Sequence, residues 1–174
     1  RETLTRGKLD ARSERLLREA IAGFRSLIDR NSDKPEVRHR NGLAQIRLGE
    51  MHYALREWPE GIDQLRTATA LLDALVTEYP ENLAYQAALA HALSSAGYQI
   101  FYEREPDLET NKKEANQMCE RAVALWEQVT QTDTRIEYSA KRAGANYRLA
   151  VIARDQKDKE RARAAFEVAR QWQT

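Results

Sequence analysis

Apolar residues recur along this chain at intervals of three and four, the spacing that places side chains on one face of an α-helix. The pattern is clearest between residues 48 and 68, where it is carried by Leu55, Trp58, Ile62, Leu65 and Ala68. Pro59 interrupts it. Because proline lacks an N–H group but fits the first turn of a helix, one helix is expected to end here and another to begin. The stretch therefore predicts a helical hairpin, with Gly49, Gly61 and Ala68 at its closest contact.

The same spacing predicts about seven antiparallel helices and no strand, since no segment alternates with a period of two for long enough. Residues 1–8 are predicted to be a frayed N-terminus, and residues 9–174 to be one domain. Within it we expect an unpaired helix at 9–31 and hairpins at about 35–80, 81–131 and 134–173. The predicted fold class is all-α, an α-α superhelix.

Two helix starts and one insertion are also predicted from local sequence. Asp33 is a candidate N-cap for the second helix, and Thr134 with Glu137 fits a capping box. Equivalent small residues are 12 apart in two of the hairpins but 18 apart, at Gly97 and Ala115, in the other. We therefore interpret the polar segment 105–114 as an inserted and mobile loop, in which residues 105–107 interrupt the helix.

Superposing the helices on their small residues reveals a repeat. In the second helix of each pair the shared positions hold Gly61, Leu65 and Ala68, then Ala115, Cys119 and Ala122, then Ala162, Phe166 and Ala169. In the first helices the shared small position is Gly49, Gly97 and Ala150, which gives periods of 48 and 53 residues. Self-similarity on this scale is typical of stacked helical repeats.

This pattern resembles the tetratricopeptide repeat. In that family a small residue follows leucine in the first helix, and the second helix carries A-x3-F-x2-A. The segment Ala162-x3-Phe166-x2-Ala169 matches fully. The first-helix tryptophan position instead holds Gln45, Leu93 and Asn146, and the period exceeds the family's ~34 residues because the second helices are longer. The resemblance implies a solenoid that binds proteins.

A second resemblance concerns the family's long-period variants. The segment LLDALVTEYPENLAYQAALAHALSSAG is similar to repeats that follow the catalytic domain of some bacterial serine/threonine protein kinases. It implies that the chain, which begins at Arg1 and is interpreted as part of a longer protein, is the regulatory part of a signalling protein. Kinase motifs, namely a Gly-rich phosphate loop, HRD and DFG, are not found in the sequence.

Composition narrows the function classes. Lys and Arg total 28 and Asp and Glu total 27, so neither a nucleic-acid partner nor membrane contact is predicted. No apolar run approaches the ~18 residues of a membrane span. One cysteine excludes an internal disulfide. The compartment stays undetermined, with the cytoplasm favoured and an extracytoplasmic location open if the chain belongs to a membrane-anchored kinase.

Candidate chemical groups favour packing over catalysis. None of His39, His52 and His91 stands at a tight metal-ligand spacing. Cys119 occupies a position held elsewhere by Leu65 and Phe166, so it is interpreted as a core hydrophobe. The tryptophans Trp58, Trp126 and Trp172 are interpreted as packing residues. No catalytic residue, cofactor or metal is therefore predicted, and the chain is interpreted as a non-enzyme.

The resemblance implies that the first helix of each pair lines a concave groove. Mapping the family's groove positions onto this sequence gives the candidate partner-binding residues Arg47, Glu50, Tyr53, His91, Ser94, Tyr98, Tyr102, Tyr147, Arg148 and Arg154. Tyrosine and arginine dominate binding energy at many interfaces, and arginine pairs bidentately with carboxylate or phosphate. We therefore expect a peptide or protein segment, acidic or phosphorylated, as the partner. The alternative is a structural or dimerisation segment, a homodimer with an empty groove.

Overall fold

The computed structural model describes residues 9–29, 32–102 and 108–171. In this part of the chain it contains seven α-helices and no strand, so the predicted all-α fold is confirmed. The helices are α1 (Ala11–Ser26), α2 (Pro35–Ala54), α3 (Trp58–Glu78), α4 (Leu83–Tyr102), α5 (Leu108–Thr132), α6 (Ile136–Asp155) and α7 (Lys159–Arg170). The predicted frayed terminus at 1–8, the break at 105–107 and Trp172 lie outside the described residues.

The helices pack as three hairpins, α2 with α3, α4 with α5 and α6 with α7. Each later hairpin packs its first helix against both helices of the hairpin before it, so that α4 contacts α2 and α3 while α6 contacts α4 and α5. The first helices α2, α4 and α6 touch in sequence, whereas within the described residues α3, α5 and α7 do not touch one another. The stack therefore curves toward the first helices, whose shared face is concave.

Small residues bring α2 and α3 together as predicted. A Cβ atom on Gly49 would lie 2.6 Å from Leu65 Cγ and 2.9 Å from the Gly61 carbonyl oxygen, so no larger residue fits without a shift. From α4, the Gln99 amide donates a hydrogen bond to the Gly49 carbonyl oxygen at 3.3 Å. Ala68 is fully buried. The close contact predicted from these small residues is confirmed.

The two predicted helix caps are wrong. Pro35 occupies the first turn of α2, which makes Lys34 the N-cap residue and displaces Asp33. At α6 the N-cap is Arg135, without a side-chain cap hydrogen bond. The Asp133 carboxylate accepts from the Arg135 backbone N–H at 3.1 Å, so this local turn replaces the predicted capping box.

The predicted inserted loop is wrong over most of its length. Helix α5 begins at Leu108, so the additional polar residues lengthen a helix. Two of them pair with neighbouring hairpins, because Lys112 lies 3.0 Å from the Asp155 carboxylate and Glu114 lies 3.0 Å from the Arg66 guanidinium. The mobility of the segment stays a prediction.

Candidate partner-binding groove

A group of charged side chains joins the three first helices on the concave face. Glu50 on α2 lies 2.8 Å from the Arg47 guanidinium and 2.9 Å from Nε2 of His91 on α4. The Lys141 ammonium on α6 lies 3.4 and 3.3 Å from Nδ1 and Nε2 of the His91 ring. With Arg148 of α6, these residues are called the charged cluster. It brings together side chains of three helices, with a separation of 41 residues between Glu50 and His91 and of 50 between His91 and Lys141.

The charged cluster shifts the pKa values of its members. Burial opposes ionisation of Glu50, but hydrogen bonds from His91 and Arg47 outweigh it and lower the pKa of Glu50 to about 2. Burial lowers the pKa of His91, the hydrogen bond with Glu50 opposes this, and the charges of Lys141 and Arg148 lower it further. The favoured arrangement at neutral pH is therefore an ionised Glu50 that accepts from a neutral His91 ring.

Replacing Glu50 with glutamine is expected to change how stability depends on pH. A carboxyl group with a lowered folded-state pKa contributes stability that is present above the unfolded-state pKa and is lost as the pH falls through the folded-state value. For Glu50 this window runs from pH 4.5 down to about 2. Urea unfolding should show Glu50→Gln less stable than the parent chain at pH 7, with the difference shrinking across that window. Glu81→Gln, at an exposed turn residue, is the control, and a constant difference for Glu50→Gln would contradict the assignment.

Arg148 links the charged cluster to a row of aromatic rings. Its guanidinium donates to the hydroxyl groups of Ser94 at 2.8 Å and Ser95 at 3.1 Å, and lies 5.5 Å from the centre of the Tyr98 ring. The Tyr98 ring lies 6.3 Å from the Tyr53 ring and 4.8 Å from the Tyr102 ring. Tyr53, Tyr98 and Tyr102 are called the aromatic row. All three rings stay partly exposed.

On the other side of the charged cluster the groove opens into a cavity of about 270 Å³. Its floor is the alanine-rich start of α4, whose small side chains leave the space open. Its walls include Arg47 from α2, Lys141 from α6 and Trp126 from α5. A neighbouring cavity of about 250 Å³ also contains Arg47 and His91 and extends to α1. The two cavities make the groove continuous across α1, α2, α4 and α6.

The structure brings together eight of the ten residues predicted for the groove. Five contribute polar groups, namely Arg47, Glu50, His91, Ser94 and Arg148, and three form the aromatic row. Tyr147 and Arg154 lie elsewhere: Tyr147 packs against Phe166 of α7 with ring centres 5.9 Å apart, and Arg154 lines a cavity with α7.

Sequence reasoning missed Lys141, which the structure places beside His91. The helical period could have identified it, because Lys141 lies seven residues, about two turns, before the predicted groove residue Arg148 and so on the same face of α6. The predicted groove residues of α6 began only at Tyr147. Trp126 lines the cavity at its base, and its assignment as a packing residue agrees with its near-complete burial.

The other candidate groups have packing roles in the described part of the chain. His52 is buried at the α2–α3 turn, where its Nδ1 lies 2.6 Å from the Glu57 carboxylate and Arg25 of α1 approaches Nε2 at 3.3 Å. Cys119 is fully buried, and burial raises the pKa of its thiol to about 12, which suits a core residue. No group of three or more His, Cys, Asp or Glu side chains within the described ranges has a metal-binding arrangement.

Comparison with known proteins gives one family match. The tetratricopeptide repeat family matches residues 145–171, which cover most of the α6–α7 hairpin. Neither a curated protein nor a solved structure matches the chain. Among the helices described, none combines the length and apolar character that crossing a membrane requires. The family match and the seven stacked helices support a tetratricopeptide-like helical repeat. The resemblance to kinase-associated repeats is not confirmed.

Proposed function

We propose that this chain is a non-enzymatic interaction module whose concave groove binds an acidic or phosphorylated segment of a peptide or protein. Tetratricopeptide repeats are generally non-catalytic and suggest protein–protein interaction. Stacked repeats supply an extended concave surface for such contacts. The observation that carries the proposal is the charged cluster, in which three cations, Arg47, Lys141 and Arg148, accompany the carboxylate of Glu50. Glu137 is a second carboxylate near Lys141 and lines the adjoining cavity.

The environment of Glu50 supports an anionic ligand. The groove lowers the pKa of this carboxyl group, which means that it stabilises a carboxylate at this place. The three cations exceed the two negative charges of Glu50 and Glu137. Burial lowers the pKa of Lys141, Glu50 and Glu137 oppose this shift, and Arg47 and Arg148 lower it further. An additional carboxylate or phosphate would offset the repulsion among these cations.

The aromatic row supports an apolar anchor beside that charge. Tyrosine combines a large apolar area with a hydroxyl group and has few torsions to immobilise on binding. Tyr98 is central, because its ring lies between Tyr53 and Tyr102 and close to the Arg148 guanidinium. We therefore propose that the segment places an aromatic or aliphatic residue on Tyr98 and an acidic or phosphorylated residue near Arg148.

A peptide screen followed by two substitutions tests this function. The 174-residue chain is screened against a peptide library, and the tightest peptide is titrated by fluorescence anisotropy. We expect Tyr98→Ala and Arg148→Ala each to weaken binding at least five-fold, the scale of interface hot spots above about 1 kcal/mol. Arg12→Ala, on the exposed side of α1, is the control with the same loss of charge. If both groove variants stay within about 0.5 kcal/mol of the parent chain, the peptide binds elsewhere.

A dimerisation segment is the second candidate, favoured by the exposed face of α1. This helix contacts only α2 among the described helices. Leu16 on it and Leu27 at its C-cap are 52% and 57% exposed. Light scattering over a range of concentrations distinguishes the two: a mass that doubles with concentration and returns to one chain in Leu16→Glu supports dimerisation. The role of a regulatory part in a kinase-type signalling protein rests on the sequence resemblance, and the full-length coding sequence tests it.

A further inference from the structure

Within the described residues, the α6–α7 hairpin has an uncovered surface where the other two hairpins hold a helix. Ile46, Ser94 and Tyr147 occupy the same register position in α2, α4 and α6, since each lies three residues before the shared small residue. Ile46 is 1% exposed and Ser94 is 3% exposed, whereas Tyr147 is 52% exposed. In the first two hairpins the next first helix packs beside this position. On α6, Tyr147 contacts Phe166 of α7, but no further first helix of the described chain packs beside it.

The uncovered surface is a groove of about 450 Å³ between α6 and α7. We call it the end groove, and define it by Ala140, Ala143, Gly144, Tyr147, Phe166 and Ala169. The small residues let a helix backbone approach closely, and the two aromatic rings provide apolar area. The equivalent grooves of the first two hairpins hold α4 and α6. The shape therefore fits a helix with an apolar stripe.

The side of the end groove that faces the α6–α7 turn is strongly basic. A second cavity of about 540 Å³ adjoins it through Phe166, and its lining contains five cations but one carboxylate, Glu167. We call the cations the basic rim: Arg154, Lys157, Lys159, Arg163 and Arg170.

Nearby acidic groups do not neutralise the basic rim. Arg163 pairs with Glu167 at 3.2 Å, and none of the other four has an ion-pair partner within the described residues. Of the adjacent acidic residues, Asp155 pairs with Lys112 at 3.0 Å and Asp158 caps α7 by accepting from a backbone N–H. Glu160, in the first turn of α7, forms no ion pair with the rim within the described residues. The excess positive charge is therefore available to a partner.

We infer that the end groove docks an acidic amphipathic helix of a partner protein, with its apolar stripe on Tyr147 and Phe166 and its carboxylates on the basic rim. The charge of the rim selects this occupant, because a neutral or basic helix would leave four cations unpaired beside it. The site is separate from the concave groove and goes beyond the function proposed above. Helix docking in an apolar groove uses anchors at i, i+3, i+4 and i+7.

A pair of synthetic helical peptides tests the inference. Both carry the same leucine stripe at i, i+3, i+4 and i+7, and they differ only in having glutamate or lysine at the flanking positions. Fluorescence anisotropy with the 174-residue chain at low salt should show the glutamate peptide binding at least ten-fold tighter. The preference should shrink as salt is added, since the contacts are exposed and screened. Equal binding of the two peptides would overturn the inference.

Two variants locate the binding, each with a matched control. A Cβ atom on Gly144 meets nothing within 4 Å. Gly144→Glu should therefore fold yet repel the acidic helix. The control Gly144→Ala adds no charge and should retain binding. The double variant Lys157→Glu, Arg170→Glu should lose at least ten-fold in affinity. Its control, Arg12→Glu, Arg15→Glu, makes the same charge change on exposed residues of α1. Affinity unchanged in both test variants would place the peptide elsewhere and refute the site.

Self-association is the competing outcome. Light scattering of the chain without peptide should give the mass of one chain at concentrations where the glutamate peptide binds. A doubled mass that Gly144→Glu abolishes would show that the end groove takes a second copy, and would overturn the inference of an acidic partner. The concave-groove variants Tyr98→Ala and Arg148→Ala should leave binding of the glutamate peptide unchanged, which separates this test from the test of the proposed function.

Discussion

Replacing Trp126 with alanine is expected to lower the free energy of unfolding by about 3–5 kcal/mol, the range measured for buried Trp→Ala changes. Trp126 is 2% exposed, and it packs with residues of α4, α5 and α6, among them Ala87, Ala145 and Tyr138. The substitution would remove the largest side chain from this contact and leave a cavity that three helices cannot fill by a small movement. The expected loss is a substantial part of the stability of a small domain.

Urea unfolding followed by circular dichroism measures this loss. Trp58→Ala is the matched control, because Trp58 stays partly exposed at the start of α3 and contacts Tyr53 edge-on at 5.0 Å. Its loss of stability should be smaller, since the free energy of burial scales with the area removed from water. Equal losses for both variants would contradict the assignment of Trp126 as the residue that joins the second and third hairpins.

The fold could be predicted from sequence because each helix carries its own signal. The three-to-four spacing of apolar residues fixes the face that each helix buries, and prolines and polar turns mark the ends. Equivalent small residues such as Gly49 and Gly61 then give the pairing, because only small residues permit that backbone approach. The failed predictions concern local choices, for example the caps, where Pro35 moved the start of α2 past Asp33.

The concave groove could be predicted only in part. Periodicity assigns a residue to a helix face, but it does not give the reach of its side chain or the neighbours that it meets. Lys141 therefore belongs to the charged cluster although it was not predicted. Tyr147 occupies the expected register, but its ring packs against Phe166 of α7 and stays 52% exposed, because no further first helix lies beside it in the described chain. Arg154, near the α6–α7 turn, likewise lies outside the concave groove and lines a cavity with α7. Positions at the end of a stack have different surroundings from their equivalents inside it.

Replacing Gly97 with alanine is the second large expected effect, a net loss of stability on the order of 1 kcal/mol. Two contributions to the change in the free energy of unfolding oppose each other. Alanine is favoured over glycine inside a helix by roughly 0.5–1 kcal/mol. Against this, the new Cβ atom would lie 2.7 Å from the Ala115 carbonyl oxygen and 2.8 Å from Cys119 Sγ. The backbone of α5 must move away from α4, and overpacking of this kind costs about 1–3 kcal/mol.

Gly23→Ala is the control that isolates the effect of helix preference. Gly23 lies inside α1, and an added Cβ atom meets nothing within 4 Å there. Its replacement should stabilise the chain, or at least α1, by about 0.5–1 kcal/mol, because only the gain in helix preference remains. If urea unfolding gives changes of opposite sign in the free energy of unfolding for the two variants, the α4–α5 contact determines the result at Gly97. If both substitutions stabilise, α4 and α5 approach less closely than their geometry indicates, and the repeat register that places Gly97 with Gly49 and Ala150 loses its structural basis.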